Sequence, residues 1–315
     1  MVSLTDRLKG MLSSVRTIAK RAASAMSSAA INTAVPPSLT GSPTKALVPP
    51  GKCQLTSEFT AVALLERTAV SSTSSVLRFA TPEKSEPLNL STCACILAKA
   101  DLPSQPTSGE ATEVVVRPYT PISTNAQVGS FDLLVKHYPE GLMSQHMLSM
   151  PIGSTLEFKH IEFNVKLQYE KFQAKQIGMI VGGTGMTPML QALHAILGDS
   201  ESKAKVSMLY GSQVSSDILG NKMLSKWASN YSDKLSVTHV LSHEPEDSSW
   251  DGARGFINKE LIEKHLPAPS LGDDAIIFVC GPPPMYNALS GPRGEDEVKG
   301  VLAEMGFSSS QVYKF

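Results

Sequence analysis

The sequence predicts two domains of different classes, an antiparallel β-barrel followed by a doubly wound parallel α/β domain. The chain has 315 residues, which exceeds the roughly 250 to 300 residues at which a single hydrophobic core stops growing. From about Leu55 to Phe163, short alternating apolar runs are separated by turn residues, as in antiparallel sheets. From about Gln176, short apolar strands alternate with helical segments, as in parallel sheets.

The individual strands and helices follow from these two patterns of apolar residues. In the first domain the predicted strands are FTAVALLERTAVS, SVLRFAT, STCACILAKA, EVVVRPYTP, SFDLLVKHY and STLEFKH. In the second domain the predicted strands are QIGMIVGG, KVSMLYGSQ, LSVTHVLSH and AIIFVCGPPP. The helices predicted between them are PMLQALHAIL, NKMLSKWASNY and NKELIEKHL. We therefore place the first domain at residues 53–165 and the second at residues 166–315.

The composition is that of a soluble globular protein. Hydrophobic residues make up 42% of the chain and charged residues 18%, with a net charge of -1. This balance argues against a nucleic-acid partner, which would favour a strongly basic surface. The spacing of the four cysteines matches no four-ligand zinc or iron-sulfur pattern, so we expect no metal site and interpret them as reduced thiols. They are Cys53, Cys93, Cys95 and Cys280.

The first 52 residues differ from the rest. Residues 1–35 are rich in Ser and Ala, and they carry five cations against the single acid Asp6. Their apolar residues recur at helical spacing, with the cations mostly on the other face, which predicts a mitochondrial transit peptide. A solvated tail or an interfacial helix would give a similar pattern. Residues 36–52 are dominated by Pro, Ser and Gly and are interpreted as a linker. No apolar run is long enough to span a bilayer.

The stretch MIVGGTGMTPML places Gly182, Gly183, Thr184 and Gly185 at the end of a predicted buried strand. Glycines allow the backbone to approach a pyrophosphate, and Thr187-Pro188 suits the first turn of a following helix. The motif is neither GxGxxG nor a P-loop. On its own it fits a nucleotide-binding turn or a tight helix-packing turn.

A second motif, IIFVCGPPPMYNA, ends another buried strand at Cys280. Ligands of open α/β sheets bind outside the carboxyl ends of the strands, where GGTG must also lie. Both motifs should therefore meet in one crevice. The alternative for CGPPP is a polyproline stop that follows a buried cysteine.

The third signal is RPYTPIS, with its neighbour KHYPEGLMSQHM, in the first domain. Arg117 can neutralise a phosphate, Tyr119 offers a flat face, and Thr120 can donate a hydrogen bond to a ring nitrogen. In GLMS, Met143 and Ser144 can present backbone N–H groups at what looks like a helix start. These features suit a flavin, although a proline-rich barrel corner with a solvated arginine is the alternative.

In this order and at these separations, RPYTPIS, KHYPEGLMS, GGTGMTPM and CGPPPM resemble the NADH-cytochrome b5 reductases of the ferredoxin-reductase-like flavoproteins. The resemblance runs from about Leu55 to the final QVYKF. It implies a six-stranded antiparallel FAD-binding barrel followed by a Rossmann-like NAD-binding domain. The leader and the terminal GVLAEMGFSSSQVYKF look most similar to mitochondrial members of the family.

The resemblance also implies roles for individual residues. Thr120 would hydrogen-bond the flavin N5, and Cys280 would align the nicotinamide, so these two are the expected catalytic residues. The expected FAD-binding residues are Arg117, Pro118, Tyr119, Thr120, Val135, Lys136, His137, Gly141, Met143, Ser144 and Thr187. The expected NAD-binding residues are Gly182, Gly183, Thr184, Gly185, Pro188, Cys280, Gly281, Pro282, Pro283 and Met285.

The function implied by the resemblance is transfer of a hydride from NADH to FAD, followed by single-electron transfer to cytochrome b5. Alternatives are a reductase for another haem protein or a quinone, and a nucleotide-binding scaffold without turnover. Ser242 stands where several family members place an acid that repels NADPH, and NADH is still the expected donor. We expect a monomer in the intermembrane space or associated with the inner or outer mitochondrial membrane, with peripheral membrane attachment left open.

Overall fold

The computed structural model describes residues 35–103, 112–161 and 171–315. These residues belong to one compact unit, Ala34–Phe315. The predicted transit peptide lies outside them except for Val35, as does the boundary predicted between residues 165 and 166. Within the described part of the chain, no helix has the length and apolar character needed to cross a membrane.

Six antiparallel strands form the sheet of the first domain, as predicted. Its strand order is β4-β3-β6-β1-β2-β5, which leaves β4 and β5 as the edges of a half-barrel. A short helix, α1 (Leu142–Ser149), connects β5 to β6. The strands are β1 (Thr60–Ala69), β2 (Ser74–Ala80), β3 (Ile96–Pro103), β4 (Thr112–Tyr119), β5 (Ser130–Lys136) and β6 (Thr155–His160).

Three aromatic rings form the centre of the half-barrel core. Phe79, Phe131 and Phe158 are each at most 1% exposed. The ring of Phe158 makes edge-to-face contacts with the other two, with centroids 4.9 Å from Phe79 and 5.5 Å from Phe131. These three rings come from β2, β5 and β6, so they connect strands on both sides of β1.

The third strand begins later than the alternation of STCACILAKA predicts. It starts at Ile96, and the chain turns at Thr92 and Cys93. Cys93 has a φ of 64°, in the left-handed region, which no extended strand contains. The prediction of a strand from Ser91 is therefore wrong for these residues, although Cys93 and Cys95 are buried as expected.

The second domain is a parallel sheet with strand order β10-β9-β8-β7-β11-β12, which confirms the predicted class. The chain moves outward from β7 to β10 and then returns to pair β11 on the other side of β7, so the topological switch point lies between β7 and β11. The strands are β7 (Gln176–Gly182), β8 (Lys205–Ser212), β9 (Leu235–Leu241), β10 (Ala253–Arg254), β11 (Ala275–Cys280) and β12 (Val312–Lys314). The helices are α2 (Met186–Leu197), α3 (Asn221–Asn230), α4 (Lys259–His265), α5 (Pro283–Leu289) and α6 (Gly300–Glu304).

The two domains share part of one hydrophobic core. Val76, Ile122 and Leu134 of the first domain belong to the same buried cluster as the residues of β7, β8 and α2. Gln191 on α2 strengthens this contact, because its side-chain amide donates to the carbonyl oxygens of Pro121 and Ser123, at 2.7 Å each. The shared core brings the carboxyl ends of β7 and β11 towards the half-barrel.

Candidate active site

The GGTG and CGPPPM turns pack directly against each other at the switch point. In the paired strands β7 and β11, Val181 lies opposite Cys280. A Cβ atom on Gly185 would lie 2.1 Å from the carbonyl oxygen of Cys280, and one on Gly182 would lie 2.8 Å from Cδ of Pro282. The predicted convergence of the two motifs is confirmed, and the absence of side chains at these glycines makes it sterically feasible.

Gly183 has a different role from its neighbours. Its φ is 52°, and a Cβ atom there would meet nothing within 4 Å, so its backbone faces open space. The hydroxyl of Tyr210 donates to the Gly183 carbonyl oxygen at 3.1 Å and thereby holds the turn. The turn continues into α2, where the Thr187 hydroxyl donates to the Thr184 carbonyl oxygen. The turn therefore presents accessible backbone at a helix N-terminus, as a phosphate site requires.

The prolines of CGPPPM begin a helix. Pro282 is the N-cap of α5 and Pro283 is its first residue, where a proline loses no hydrogen bond. One turn later, the Tyr286 hydroxyl lies within hydrogen-bonding distance of the backbone oxygens of Val279 and Phe315. This connects the C-terminus to the end of β11. The polyproline stop considered from the sequence is therefore replaced by a helix start that leaves Cys280 on the cavity wall.

The RPYTPIS motif lies where β4 ends. Arg117 is exposed and donates to the Val116 carbonyl oxygen at 2.8 Å. Tyr119 is half-buried, and burial raises the pKa of its phenol to about 12, although Arg117 acts in the opposite direction. Tyr119 is therefore a neutral aromatic surface at physiological pH. Thr120 follows directly and lies on the cavity wall.

Helix α1 provides a second N-terminus at the cavity. Its N-cap is Gly141, where a Cβ atom would lie 2.7 Å from Oγ of Ser144 and 2.9 Å from Cβ of Tyr138. The Ser144 hydroxyl donates to the Gly141 carbonyl oxygen and accepts from the Tyr138 N–H, which fixes the loop. The N–H groups of a first helical turn have no partners within the helix, so they are suited to bind an anion.

All these features surround one cavity of about 1260 Å³ between the two domains. It exceeds the roughly 300–1,000 Å³ of an ordinary ligand pocket, so it has space for more than one small molecule. Predicted residues on its wall from the first domain are Arg117, Pro118, Tyr119, Thr120, Lys136, His137, Gly141, Met143 and Ser144. Those from the second domain are Gly182, Gly183, Thr184, Gly185, Thr187, Pro188, Cys280, Gly281, Pro282 and Met285.

Two predicted residues are not on the wall. Val135 is 1% exposed and packs in the half-barrel core, because side chains alternate along β5 and its neighbours Leu134 and Lys136 face the cavity. Pro283 is exposed at the start of α5, whereas its neighbours Pro282 and Pro284 lie on the cavity wall. Their side chains lie outside the cavity wall, and the cofactor-binding roles expected for these two residues stay predictions.

The cavity also includes residues that the sequence motifs did not identify. Asp217 reaches across from the second domain, 3.6 Å from Nζ of Lys136, and its carboxylate accepts from the Thr73 hydroxyl. Phe256, which is 74% exposed, lies on the wall with Ser242 and His243. An exposed aromatic residue within RGF could have been noticed, but the partner of Lys136 could not, because it is distant in sequence.

Cys93 and Cys280 bring thiols from both domains to the wall. The Cys93 thiol donates to the Pro188 carbonyl oxygen at 3.3 Å. Burial raises the pKa of Cys93 well above its usual range, with a smaller contribution from Cys280. Cys93 is therefore a neutral packing residue at the domain junction, as expected for a structural cysteine.

The residues present fit two dinucleotides. Gly183 and Gly141 mark two separate helix N-termini that open on the same cavity, one in each domain. A flat aromatic side chain and a cation, Tyr119 and Arg117, lie on the wall between polar groups. Two anion-binding turns that face a common space are the requirement for bringing two phosphate-bearing cofactors together.

Comparisons with known proteins agree with this geometry. Residues 61–166 match the oxidoreductase FAD-binding domain family, and residues 179–290 match the oxidoreductase NAD-binding domain family. The NADH-cytochrome b5 reductase 2 of Scheffersomyces stipitis is 41% identical over 243 residues, which cover 76% of this chain and 77% of that protein. The Neosartorya fischeri protein of the same name is 40% identical, over 76% of this chain and 72% of that protein.

The chain belongs to the NADH-cytochrome b5 reductase family.

Among solved structures, the cytochrome b5 reductase domain of Ulva prolifera nitrate reductase is similar, with a TM-score of 0.69 and 28% identity. The match covers 86% of this chain and 100% of that domain. As a member of this family, the protein is an oxidoreductase with an FAD-binding half-barrel and an NAD-binding parallel sheet. The cavity between them is its candidate active site.

Proposed function

We propose that this reductase takes a hydride from NADH onto FAD and passes the electrons singly to cytochrome b5. The observation that carries the proposal is the junction cavity, where a phosphate-binding turn from each domain opens on the same space. FAD supplies the chemistry that connects a two-electron donor to a one-electron acceptor. The protein has to hold the two rings in contact and exclude water between them.

The half-barrel side would hold FAD. Tyr119 presents a neutral ring, and Thr120 presents a hydroxyl at the end of β4. The first turn of α1, held by Ser144, would bind the diphosphate through its free N–H groups. Arg117 adds a positive charge on the same wall, which favours a bound phosphate.

The parallel-sheet side would hold NADH. The open backbone at Gly183 suits the pyrophosphate, because no side chain there blocks its approach. Cys280 lies at the end of β11, where packing against Gly185 fixes its backbone, so its thiol can hold the nicotinamide in one orientation. Hydride transfer between two rings needs alignment rather than an acid-base pair, so no proton-transferring residue is assigned.

The acceptor would approach a surface with positive charge near the half-barrel. Lys159 and Lys99 both place Nζ 4.8 Å from the centre of the Phe59 ring. Lys99 is already paired with Glu157 at 2.9 Å, and Lys136 with Asp217. Of these three lysines, we therefore assign to Lys159 the role of attracting an acidic haem protein.

Stopped-flow spectroscopy tests the proposal directly. Purified protein should be yellow, its flavin absorbance should bleach on mixing with NADH, and oxidised cytochrome b5 should restore it. Reoxidation by a quinone or another haem protein at an equal or higher rate would favour the alternative acceptors. A colourless protein that cannot be reconstituted with FAD would favour a nucleotide-binding scaffold without turnover.

The choice between NADH and NADPH depends on the end of β9. Ser242 and His243 lie on the cavity wall, and the Ser242 hydroxyl is 2.7 Å from Nδ1 of His243. No carboxylate occupies position 242 to repel a 2′-phosphate. We expect a higher kcat/KM with NADH, and Ser242→Asp should widen the preference. A higher kcat/KM with NADPH in the wild type would contradict the choice of donor.

For the cellular setting, we propose a monomeric mitochondrial enzyme that enters through its basic, amphipathic leader. The support is the leader's composition, with five cations and one acid in residues 1–35. A fusion of residues 1–50 to a fluorescent reporter should accumulate in mitochondria, and cytosolic fluorescence would contradict import. Light scattering after size exclusion should give a mass near 33.7 kDa for the full chain or less after cleavage, whereas twice that mass would contradict a monomer.

A further inference from the structure

The segment predicted as a linker packs more extensively than a linker requires. Its first part contains a short 3-10 helix, Pro37–Leu39, in which Ser38 is 9% exposed and Leu39 is 3% exposed. A chain that merely connects two parts would remain exposed and variable in position. Residues 36–46 are therefore a built part of the molecule, and we call them the clasp.

The clasp is bound to the half-barrel at both ends. The Ser38 hydroxyl donates to Oδ2 of Asp132 at 2.7 Å. Asp132 on β5 is completely buried and is also paired with Arg78 at 2.8 Å, so Ser38 completes a polar network inside the first domain. At the other end, the side-chain amide of Asn125 donates to the Ala46 carbonyl oxygen at 3.3 Å and to the Leu90 carbonyl oxygen at 2.8 Å.

Between these two points the clasp is bound to the second domain. Nε1 of Trp227 on α3 donates to the Gly41 carbonyl oxygen at 2.9 Å. The Thr44 N–H donates to Nδ1 of His194 on α2 at 3.0 Å. Leu39 belongs to the hydrophobic cluster that both domains share. The segment thus crosses from the first domain to the second and back.

The surface of the second domain accommodates this path closely. A Cβ atom on Gly198, at the end of α2, would lie 2.4 Å from the backbone nitrogen of Lys45. His194 and Trp227, both at most 7% exposed, are in edge-to-face contact with ring centroids 4.8 Å apart. Two buried side chains therefore direct polar atoms at the clasp backbone. Each would lose its partner if the clasp moved away, which has a free-energy cost.

We propose that Ser38, Leu39 and His194 are positioning residues for hydride transfer, because the clasp holds the two domains at the separation at which nicotinamide and flavin are in contact. The inference rests on the proposed function, since it concerns the step that joins the two domains. Reacting atoms must approach to about 3.5 Å, and a displacement of about 1 Å is enough to slow such a step strongly. A contact remote from both rings can therefore set the rate.

The clasp acts together with direct contacts between the domains. Gln191 connects α2 to Pro121 and Ser123, and the carboxylate of Asp217 pairs with Lys136. The Lys136–Asp217 pair lies on the cavity wall, whereas the clasp lies across the junction from β5 to α3. Without the clasp, the domains should stay associated but sample a wider range of separations.

The test uses the full-length holoenzyme, a double variant of the clasp and a matched control. Ser38→Ala/Leu39→Ala removes the hydroxyl that binds Asp132 and the apolar side chain in the shared core. The matched control, Val35→Ala/Ser42→Ala, makes similar truncations at two exposed positions, one directly before the clasp and one within it. Stopped-flow reduction at saturating NADH, FAD content, NADH affinity and small-angle X-ray scattering are measured on both.

We expect the clasp variant to lose about tenfold or more in the rate constant of flavin reduction, with the FAD spectrum and NADH affinity nearly unchanged. The distribution of interatomic distances obtained from its scattering should broaden, while that of the control should match the wild type. A variant that keeps the hydroxyl and the apolar volume, Ser38→Thr/Leu39→Met, should recover most of the rate. If the double variant does not fold, Ser38→Ala alone should show the same effect on the rate at a smaller amplitude.

Other results would overturn the inference. A lower unfolding temperature with an unchanged reduction rate would mean that the clasp only stabilises the fold. Equal rates in the clasp variant and its control would also overturn it. If the wild type itself is not reduced by NADH, the proposed function fails. Scattering then tests separately whether the clasp holds the domains in place. A broader distance distribution in the clasp variant supports this role, and an unchanged distribution overturns it.

Discussion

Gly185 shows why a glycine can be required at a position with an ordinary backbone conformation. Its φ is -58°, which any residue adopts, yet a Cβ atom would lie 2.1 Å from the carbonyl oxygen of Cys280. The obstacle is backbone at the end of β11, which cannot rotate away as a flexible side chain could. The contact holds the two cofactor-facing turns together.

Gly185→Ala should therefore separate these turns and impair both stability and reduction by NADH. Overpacking of this kind costs about 1–3 kcal/mol in the free energy of unfolding. Gly294→Ala is the matched control, since a Cβ atom there meets nothing within 4 Å. Chemical denaturation and stopped-flow reduction measure the two effects. Equal behaviour of both variants would show that the turn can relax.

Thr120 is the residue whose hydroxyl we expect to matter most for the chemistry. Thr120→Val keeps the shape of the side chain and removes the hydrogen-bond donor. A hydrogen bond of about 1.4 kcal/mol in the transition state corresponds to a tenfold slower reduction by NADH. The measurement is the single-turnover rate constant, with FAD content as the test of an intact site.

The control for Thr120→Val is Thr112→Val, at the exposed start of β4, the strand that Thr120 directly follows. This change should leave the reduction rate at the wild-type value. If Thr120→Val is reduced as fast as the control, the hydroxyl has no part in the transfer, and Thr120 would be a wall residue only.

At the scale of the elements, alternation predicted strands well and failed where the backbone turns. Runs such as SVLRFAT and SFDLLVKHY became β2 and β5 with small shifts at their ends. In STCACILAKA the same alternation continues through Cys93, whose φ of 64° ends any strand. The pattern of apolar residues cannot reveal this turn, because burial of the Cys93 thiol against Pro188 depends on a contact with the other domain.

Prolines were a second source of error in the sequence interpretation. Three successive prolines normally favour an extended segment, yet Pro283 begins α5 because the first helical turn does not use its backbone N–H for hydrogen bonds. The clasp shows the same limitation. Its Pro, Ser and Gly content is typical of a linker, and only the distant partners Asp132, His194 and Trp227 show that it is packed.

The half-barrel depends on its aromatic centre, which makes a clear prediction for stability. Phe158 is fully buried and contacts the rings of Phe79 and Phe131. Phe158→Ala should lower the free energy of unfolding by about 3–5 kcal/mol and reduce FAD retention, since the half-barrel would carry the flavin. Thermal unfolding and flavin fluorescence would measure both.

Phe59→Ala is the comparison for Phe158→Ala, because Phe59 is only half-buried, on the outer side of the half-barrel, beneath Lys99 and Lys159. It should lose much less stability and retain FAD. A similar loss in both variants would mean that the aromatic centre is not the main support of the half-barrel.

At the scale of the whole molecule, the sequence predicts which parts of the site lie together only where a rule of sheet topology applies. GGTG and CGPPPM could be placed together because the carboxyl ends of parallel strands lie at one edge of the sheet. No such rule relates Lys136 to Asp217, because this contact depends on how the two domains pack. The sequence therefore predicts the groups that bind cofactors better than it predicts the contacts that set the distance between the domains.

The junction should respond to acid through His194. Burial lowers its pKa from 6.5 to about 4, and its neutral Nδ1 accepts the Thr44 N–H. Because the folded-state pKa lies below the unfolded value, the contribution of His194 to stability is fully present above about pH 6.5 and is lost as pH falls towards 4. This pKa difference corresponds to on the order of 3 kcal/mol. The charges near this end of α2 include Lys45 and Asp199, which are paired at 2.6 Å. This pairing lowers the pKa of Asp199, and the nearby charge of Lys234 acts in the same direction.

His194→Asn isolates this effect, because an asparagine oxygen can accept the Thr44 N–H without titrating between pH 4 and 7. The free energy of unfolding, measured by denaturation from pH 7.5 to 4.5, should fall more steeply with acid in the wild type than in the variant. Other histidines with lowered pKa values, such as His146 and His239, contribute equally to both proteins and cancel in the difference. If the hydrogen bond from Thr44 holds the clasp in place, the flavin reduction rate should also fall more steeply with acid in the wild type than in His194→Asn. Parallel stability profiles for the two proteins would instead show that His194 does not control the acid response.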